Sequence, residues 1–196
     1  MRAVPANEAS WEDLCAVFGE RGVPADCQCQ WFKMSSSEWK ASKRARRESM
    51  LQDQTNCGDP DAVATSGLVA YADGEPVGWC AIEPRVEYPR LRYARIPWTA
   101  RSEDKDDPGV WAITCFVTRA RHRRRGVSYA LAEAAVEHAR KCGARAIEGY
   151  PRQPEPGADY GWGELFVGTV TVFESAGFVE VARPTARRHV MRIDFD

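Results

Sequence analysis

Residues 110–143, VWAITCFVTRARHRRRGVSYALAEAAVEHARKCG, decide how the chain is organised. Residues 110–118 are β-branched and aromatic at both parities, the pattern of a strand buried on both faces. Residues 119–125 then set five arginines and a histidine in seven positions. From Gly126 on, Val127, Ala130, Leu131, Ala134, Ala135 and His138 recur at helical spacing, giving one packing face of a helix that Gly143 stops. ARAIEGYP returns as a strand. The order strand, basic turn, helix, strand brings the unpaired N–H groups of a helix start, with about half a positive charge, beside the end of a buried strand. Such a helix start receives a phosphate. Gly126 permits close approach of a ligand to the backbone, and Ser128 is small and offers a hydroxyl.

The basic run is local. The 196 residues carry 27 Lys and Arg against 28 Asp and Glu, a net charge of -1, so no global excess of positive charge faces a polyanion. Nucleic acid is not an expected partner, because it requires a broader basic face with exposed stacking aromatics. The length suits one domain, 1–196, with an N-terminal helical part (1–62) shaping an acceptor site and a sheet core (63–196). No apolar stretch reaches the roughly 18 to 20 residues that span a bilayer, and MRAVPANEAS lacks the apolar core of a signal peptide, so no membrane and a cytoplasmic location are expected. Seven cysteines, an odd number, suit reduced thiols better than a disulfide framework. Three isolated histidines leave Cys27 and Cys29 short of a metal-ligand set, and no metal is expected. These two cysteines, in CQCQWFK, either line a pocket or pack as small hydrophobes.

The remaining elements follow from punctuation. Ser10 caps a first helix, which Gly22 is expected to stop. Ser35 and Glu38 form a capping box for one helix through SSSEWKASKRARRESMLQDQ. Asp73-Gly74 joins strands near 66–72 and 77–82 as a hairpin. Residues 84–109 read as a long irregular connection. VGTVTVFESAGF is a short helix stopped by Gly177, and the last two strands turn at Pro184.

Arg123-Arg124-Arg125-Gly126-Val127-Ser128 is similar to the [Arg/Gln]-x-x-Gly-x-[Gly/Ala] pyrophosphate loop of the GNAT superfamily of acyl-CoA-dependent N-acyltransferases, with Ser128 in place of Gly or Ala. Phe173-Glu174-Ser175-Ala176-Gly177-Phe178 resembles that family's Tyr-x-x-x-Gly-Phe segment, with Phe173 where Tyr is frequent. The likeness covers roughly residues 66–195. VGWCAIEPR, VWAITCFVT, EGYP and RPTARRHVMR also resemble a bacterial subgroup with an N-terminal Cys-x-Cys motif.

The resemblance implies an α/β fold: a mixed, mostly antiparallel central sheet flanked by helices, with a splay between two central parallel strands. It implies acetyl-CoA as cosubstrate, with pantetheine on the backbone near Cys115, Phe116 and Val117. The pyrophosphate would lie at Arg123, Arg124, Arg125, Gly126, Val127, Ser128 and Tyr129, with Phe173 nearby. An amine acceptor would enter from the opposite side and attack the thioester directly, the Val117 N–H region serving the carbonyl. The expected activity is N-acetylation of a primary amine on a small molecule or peptide; the alternative is a non-catalytic acyl-CoA sensor. A homodimer is one assembly left open.

Glu148, followed by Tyr150, is the candidate catalytic pair, with Glu83 and Glu164 as rival bases; any one of them taken singly reads more readily as an ordinary surface carboxylate. With Phe at 173, either Tyr129, Tyr150, Tyr160 or water would protonate the leaving thiolate, or the thiolate would leave unassisted. His138 reads as structural and Cys115 as a buried thiol. Glu83, Glu87 and the acidic residues of 103–107 would attract a cationic acceptor.

Overall fold

The computed structural model describes residues 1–155, 157, 160 and 163–195. The chain starts with an edge strand that its pattern does not announce, β1 (Arg2–Pro5). Ser10 caps α1 (Trp11–Phe18), its hydroxyl accepting from the Asp13 N–H at 3.0 Å. The helix closes at Gly19 (φ 72°), ahead of the expected stop at Gly22, and α2 (Val23–Cys27) follows. The single helix expected after Ser35 is two, α3 (Ser36–Ala41) and α4 (Arg44–Thr55). The capping box of Ser35 and Glu38 forms, but Ser42 and Lys43 turn extended. Arg47 holds the break open by donating to the Ser42 hydroxyl and to the carbonyls of Ser42 and Trp39.

Strands β2 (Leu68–Ala72) and β3 (Glu75–Pro84) are joined by Asp73 and Gly74, at φ 51° and 80°. The connection 84–109 is less irregular than expected: it holds a 3-10 turn at Arg85–Glu87, then α5 (Pro89–Tyr93) and α6 (Arg95–Trp98). Then come β4 (Val110–Thr118), α7 (Val127–Lys141), β5 (Ala146–Gly149), α8 (Val170–Ser175), β6 (Val179–Thr185) and β7 (Arg188–Asp194). The last hairpin turns at Ala186 and Arg187, and Pro184 lies inside β6. That strand is the sheet edge, where a missing N–H breaks no ladder on its outer side.

The seven strands run in the order β1-β2-β3-β4-β5-β7-β6, antiparallel except for the β4–β5 pair. β4 pairs with β5 from Val110 opposite Ala146 to Ile113 opposite Gly149. There β5 ends, while β4 continues to Thr118 alongside β3. The Phe116 N–H then donates to the Phe166 carbonyl at 2.6 Å. The sheet is therefore open on one side of the second half of β4.

Both faces of β4 are covered, as its composition implies. Phe116 joins the cluster of Val127, Leu131, Ala135 and Phe173 under α7 and α8. Val117 joins Leu14, Phe18, Leu51 and Trp79 under α1 and α4. Two glycines set the close approaches. A Cβ on Gly78 would sit 2.4 Å from Val127, so α7 starts directly on β3. A Cβ on Gly149 would sit 2.1 Å from the fully buried ring of Phe173. Gly149→Ala is therefore expected to lower stability by about 1–3 kcal/mol through overpacking. A lower urea midpoint with an unchanged slope checks it.

Candidate functional site

The basic turn folds into a helix start with no side-chain cap. Arg124 (φ 58°) and Gly126 (φ 79°) both adopt left-handed backbone, and Gly126 is the N-cap of α7. The first intrahelical bond runs from the Ala130 N–H to the Gly126 carbonyl at 3.1 Å. The N–H groups of Val127, Ser128 and Tyr129 precede it and point out of the helix end. Arg119 and His122 are drawn off to Glu75, at 2.8 and 3.3 Å. Among the described residues no acid lies within ion-pair distance of Arg121, Arg124 or Arg125. The helix start thus combines orphan donors, a positive dipole end and uncompensated arginines.

Two cavities flank β4. One, of about 430 Å³, runs from this helix start and is lined by Phe116, Thr118, Arg123, Ser128, Tyr129 and Tyr160 among others. The other, of about 370 Å³, lies against Cys115 and Val117 on the opposite face. Phe166 lines both, where β4 has lost β5. Of the residues expected to hold the cosubstrate, Phe116, Arg123, Ser128 and Tyr129 line the first cavity; Cys115 and Val117 line the second. The Val127 side chain is buried against Gly78, so only its backbone is at the helix start. Phe173 is fully buried behind Phe116, at 5.9 Å between rings, and lines neither cavity.

The strand's alternation also fixes which N–H groups face the opening. Arg119 donates to the Val77 carbonyl on the β3 side, and Phe116 donates to Phe166 on the other. Successive residues of a strand send their N–H groups to opposite edges. Val117 therefore points to β3, away from the opening, and Thr118 shares the open edge with Phe116. With the Phe116 N–H given to Phe166, the N–H left on the open edge is that of Thr118, not Val117.

The second cavity is aromatic and thiol-lined: Trp31, Phe32 and Trp39 meet Cys27, Cys29 and Cys115. Burial, reinforced by the neighbouring Cys29, pushes the Cys27 thiol up to about 12. Cys29, buried beside Cys115, is also raised well above the usual thiol range, again by burial first. These thiols are protonated near neutrality. Glu164, ion-paired with Arg152 at 3.0 Å, is the one carboxylate on this wall among the described residues.

Glu148 and Tyr150 are together, but outside both cavities. Glu148 is fully buried and accepts from Arg85 at 2.9 Å, Arg101 at 2.7 Å, Arg192 at 3.4 Å and the Tyr150 hydroxyl at 2.5 Å. All of its acceptor positions are occupied by donors. Glu83, the other rival, pairs with Lys33 and accepts from Ser66; its burial raises its pKa against the pull of Lys33. It lines a separate groove with Glu8, Glu87 and His138. The acidic run does not gather as a cation trap: Glu103 pairs with Arg101 and Arg192, Asp106 with Arg92, and Asp107 with Arg145. Arg152, Arg188, Thr118 and Phe166 carried no sequence signal, because strand ends and a non-local pairing bring them to the site.

The profile of the acetyltransferase (GNAT) family matches residues 29–156. No curated protein matches the chain. Solved structures do. An acetyltransferase crystal structure is 17% identical, with 100% of each chain covered and a TM-score of 0.57. The ribosomal-protein-alanine N-acetyltransferase from Brucella melitensis is 15% identical, again with 100% of each chain covered and a TM-score of 0.50.

Removing the Glu148 charge leaves three buried guanidiniums around an empty centre. Glu148→Ala is expected to cost about 3–5 kcal/mol of stability. Urea unfolding followed by tryptophan fluorescence checks it.

Proposed function

The chain belongs to the GNAT acetyltransferase family, and from that premise we propose that it moves the acetyl group of acetyl-CoA to a primary amine by direct attack, each substrate held on its own side of β4. The observation that carries this reading is the uncapped start of α7, opening into the cavity along the free edge of β4. The fit to a pyrophosphate is good in kind. Three orphan N–H groups, a left-handed turn and the uncompensated Arg121, Arg124 and Arg125 supply donors and charge without a competing carboxylate. The narrow arm of the cosubstrate would follow Ser128, Tyr129 and Thr118 to Phe166.

In the reaction, the amine nitrogen forms a bond to the thioester carbonyl carbon and the carbon–sulfur bond breaks. One proton leaves nitrogen and one goes to sulfur. The Thr118 N–H, on the open edge, suits the developing oxyanion. Glu164, in the acceptor-side cavity, suits the removal of the amine proton, directly or through one water. Tyr160 and Tyr129 are the phenols of the other cavity, and Tyr160 is our choice of donor to the thiolate in place of the family's missing tyrosine. Glu148 and Tyr150 we assign to positioning: with every lone pair engaged, Glu148 holds β5 at the opening and does not exchange protons with the acceptor.

Two finer readings belong to the same proposal. The stretches VGWCAIEPR, VWAITCFVT, EGYP and RPTARRHVMR support the bacterial Cys-x-Cys subgroup, and Cys27 and Cys29 line the acceptor side. Seven free thiols suit a reducing compartment, the cytoplasm.

Calorimetric titration with acetyl-CoA tests the proposal. Saturable micromolar binding is expected, and an amine should then release CoA thiol. Arg124→Glu is expected to weaken acetyl-CoA by about tenfold or more, the scale of one or two charged hydrogen bonds. A folded protein that binds no acetyl-CoA, or an unchanged affinity in the variant, removes the pyrophosphate assignment.

A further inference from the structure

Arg152 and Arg188 stand directly opposite each other in an isolated antiparallel bridge. The His189 N–H to Pro151 carbonyl bond, 3.2 Å, and the Gln153 N–H to Arg187 carbonyl bond, 3.0 Å, lock that register. Like charges directly opposed on one face are unfavourable. Both guanidiniums line the acceptor-side cavity, where Glu164 is their one carboxylate among the described residues. Glu164 binds Arg152. Arg188 has neither an ion pair nor a side-chain hydrogen bond among the described residues. Burial first, and then the charge of Arg152, lower its pKa from the usual arginine range against the opposing pull of Glu164, to which it is not bonded.

The surroundings do not supply the missing anion. Arg47 and Arg90 stack on Trp39 and Trp31, at 3.6 and 3.9 Å from the ring centres. Their bonded donors go to main-chain carbonyls and to serine hydroxyls, not to carboxylates, and the buried Arg90 Nη2 has no partner among the described residues. The cavity is thus an aromatic slot with one guanidinium left over.

Resting on the acetyltransferase reading, we infer that the acceptor is an aromatic amine carrying its own carboxylate, of the aromatic α-amino acid class, with the carboxylate on Arg188 and the ring against Trp31, Phe32 and Trp39. A carboxylate bound by a planar guanidinium offsets the repulsion that the opposed arginines otherwise leave standing. The same charges exclude the competing classes. A polyamine or a lysine-rich peptide would bring more positive charge into a positive cavity, whereas a zwitterion enters with none in excess. Nearby guanidiniums also favour the neutral, nucleophilic form of an amine. A cavity of about 370 Å³ is at the small end of the range for small-molecule sites, which suits a single amino acid. The products are the N-acetylated amino acid, formed with the new carbon–nitrogen bond, and CoA thiol, with the amine proton passed to Glu164 or water.

The test compares phenylalanine, tyrosine and tryptophan with phenethylamine, tyramine, tryptamine and spermidine as acceptors in a thiol-release assay, after acetyl-CoA binding has been measured by calorimetry. At least one aromatic amino acid is expected to exceed its decarboxylated partner by about tenfold or more in kcat/KM, one charged hydrogen bond's worth. In Arg188→Gln that ratio should fall toward one while acetyl-CoA affinity holds. If acetyl-CoA binds but the amines or spermidine match or exceed the amino acids, the acceptor class is wrong and the acetyltransferase reading stands. If acetyl-CoA does not bind, that reading falls and takes this inference with it.

Discussion

A strand in the middle of a sheet that loses its neighbour has backbone groups to satisfy, and most of this molecule is arranged around that fact at β4. After Ile113 the partner β5 is gone, yet β4 runs on to Thr118 between two hydrophobic clusters. Phe166 supplies one acceptor, to the Phe116 N–H. The remaining edge has to meet water or a ligand, since an orphaned buried N–H costs about as much as a lost hydrogen bond. The opening is also what allows cavities on both faces to meet at one residue, Phe166. A sheet paired to its end would have walled them apart.

An opening of this kind needs an anchor at the point where the strands part, and Glu148 is one residue before Gly149, the last paired position of β5. Its partners come from four places in the chain: Arg85 after β3, Arg101 after α6, Tyr150 beside it and Arg192 on β7. Buried ion pairs of this type seldom add net stability over a well-packed apolar core, but breaking one is costly. What they supply is a single arrangement: the connection 84–109, β5 and β7 are tied to one carboxylate. Catalytic geometry that depends on where β5 ends is held by these bonds rather than by the hydrophobic cores on either side.

How much of this was legible in the sequence depended on whether the cause was local. The buried strand, the uncapped helix start at Gly126, the Asp73-Gly74 hairpin and the Ser35–Glu38 box are local patterns, and all are present in the fold. The break at Ser42 depends on Arg47 reaching back five residues, and β1 on pairing with a strand more than sixty residues away, so neither is written in its own neighbourhood. Glu148 was singled out as polar at a strand end, but three arginines distant in sequence determine its surroundings. Arg152 and Arg188 were invisible for the same reason: their bridge exists only once the end of β5 is laid beside the start of β7.

Charge bookkeeping across the whole chain then separates the arginines with a structural partner from those without. A net charge of -1 means that acids are as plentiful as bases, so an arginine left without one is a matter of placement. Glu75 takes Arg119, Glu155 takes Arg187, Glu180 takes Arg183, Asp107 takes Arg145 and Asp106 takes Arg92. Most of these pairs are exposed and add little stability. Their effect is to neutralise part of the surface away from β4. Among the described residues, Arg121, Arg124 and Arg125 at the start of α7 and Arg188 in the acceptor-side cavity have no ion pair, and neither do the exposed Arg2, Arg21, Arg46, Arg95 and Arg140, which water solvates. Two positive sites on opposite faces of one strand would repel if the protein were finished without ligands, and they are stabilised together when each receives an anion.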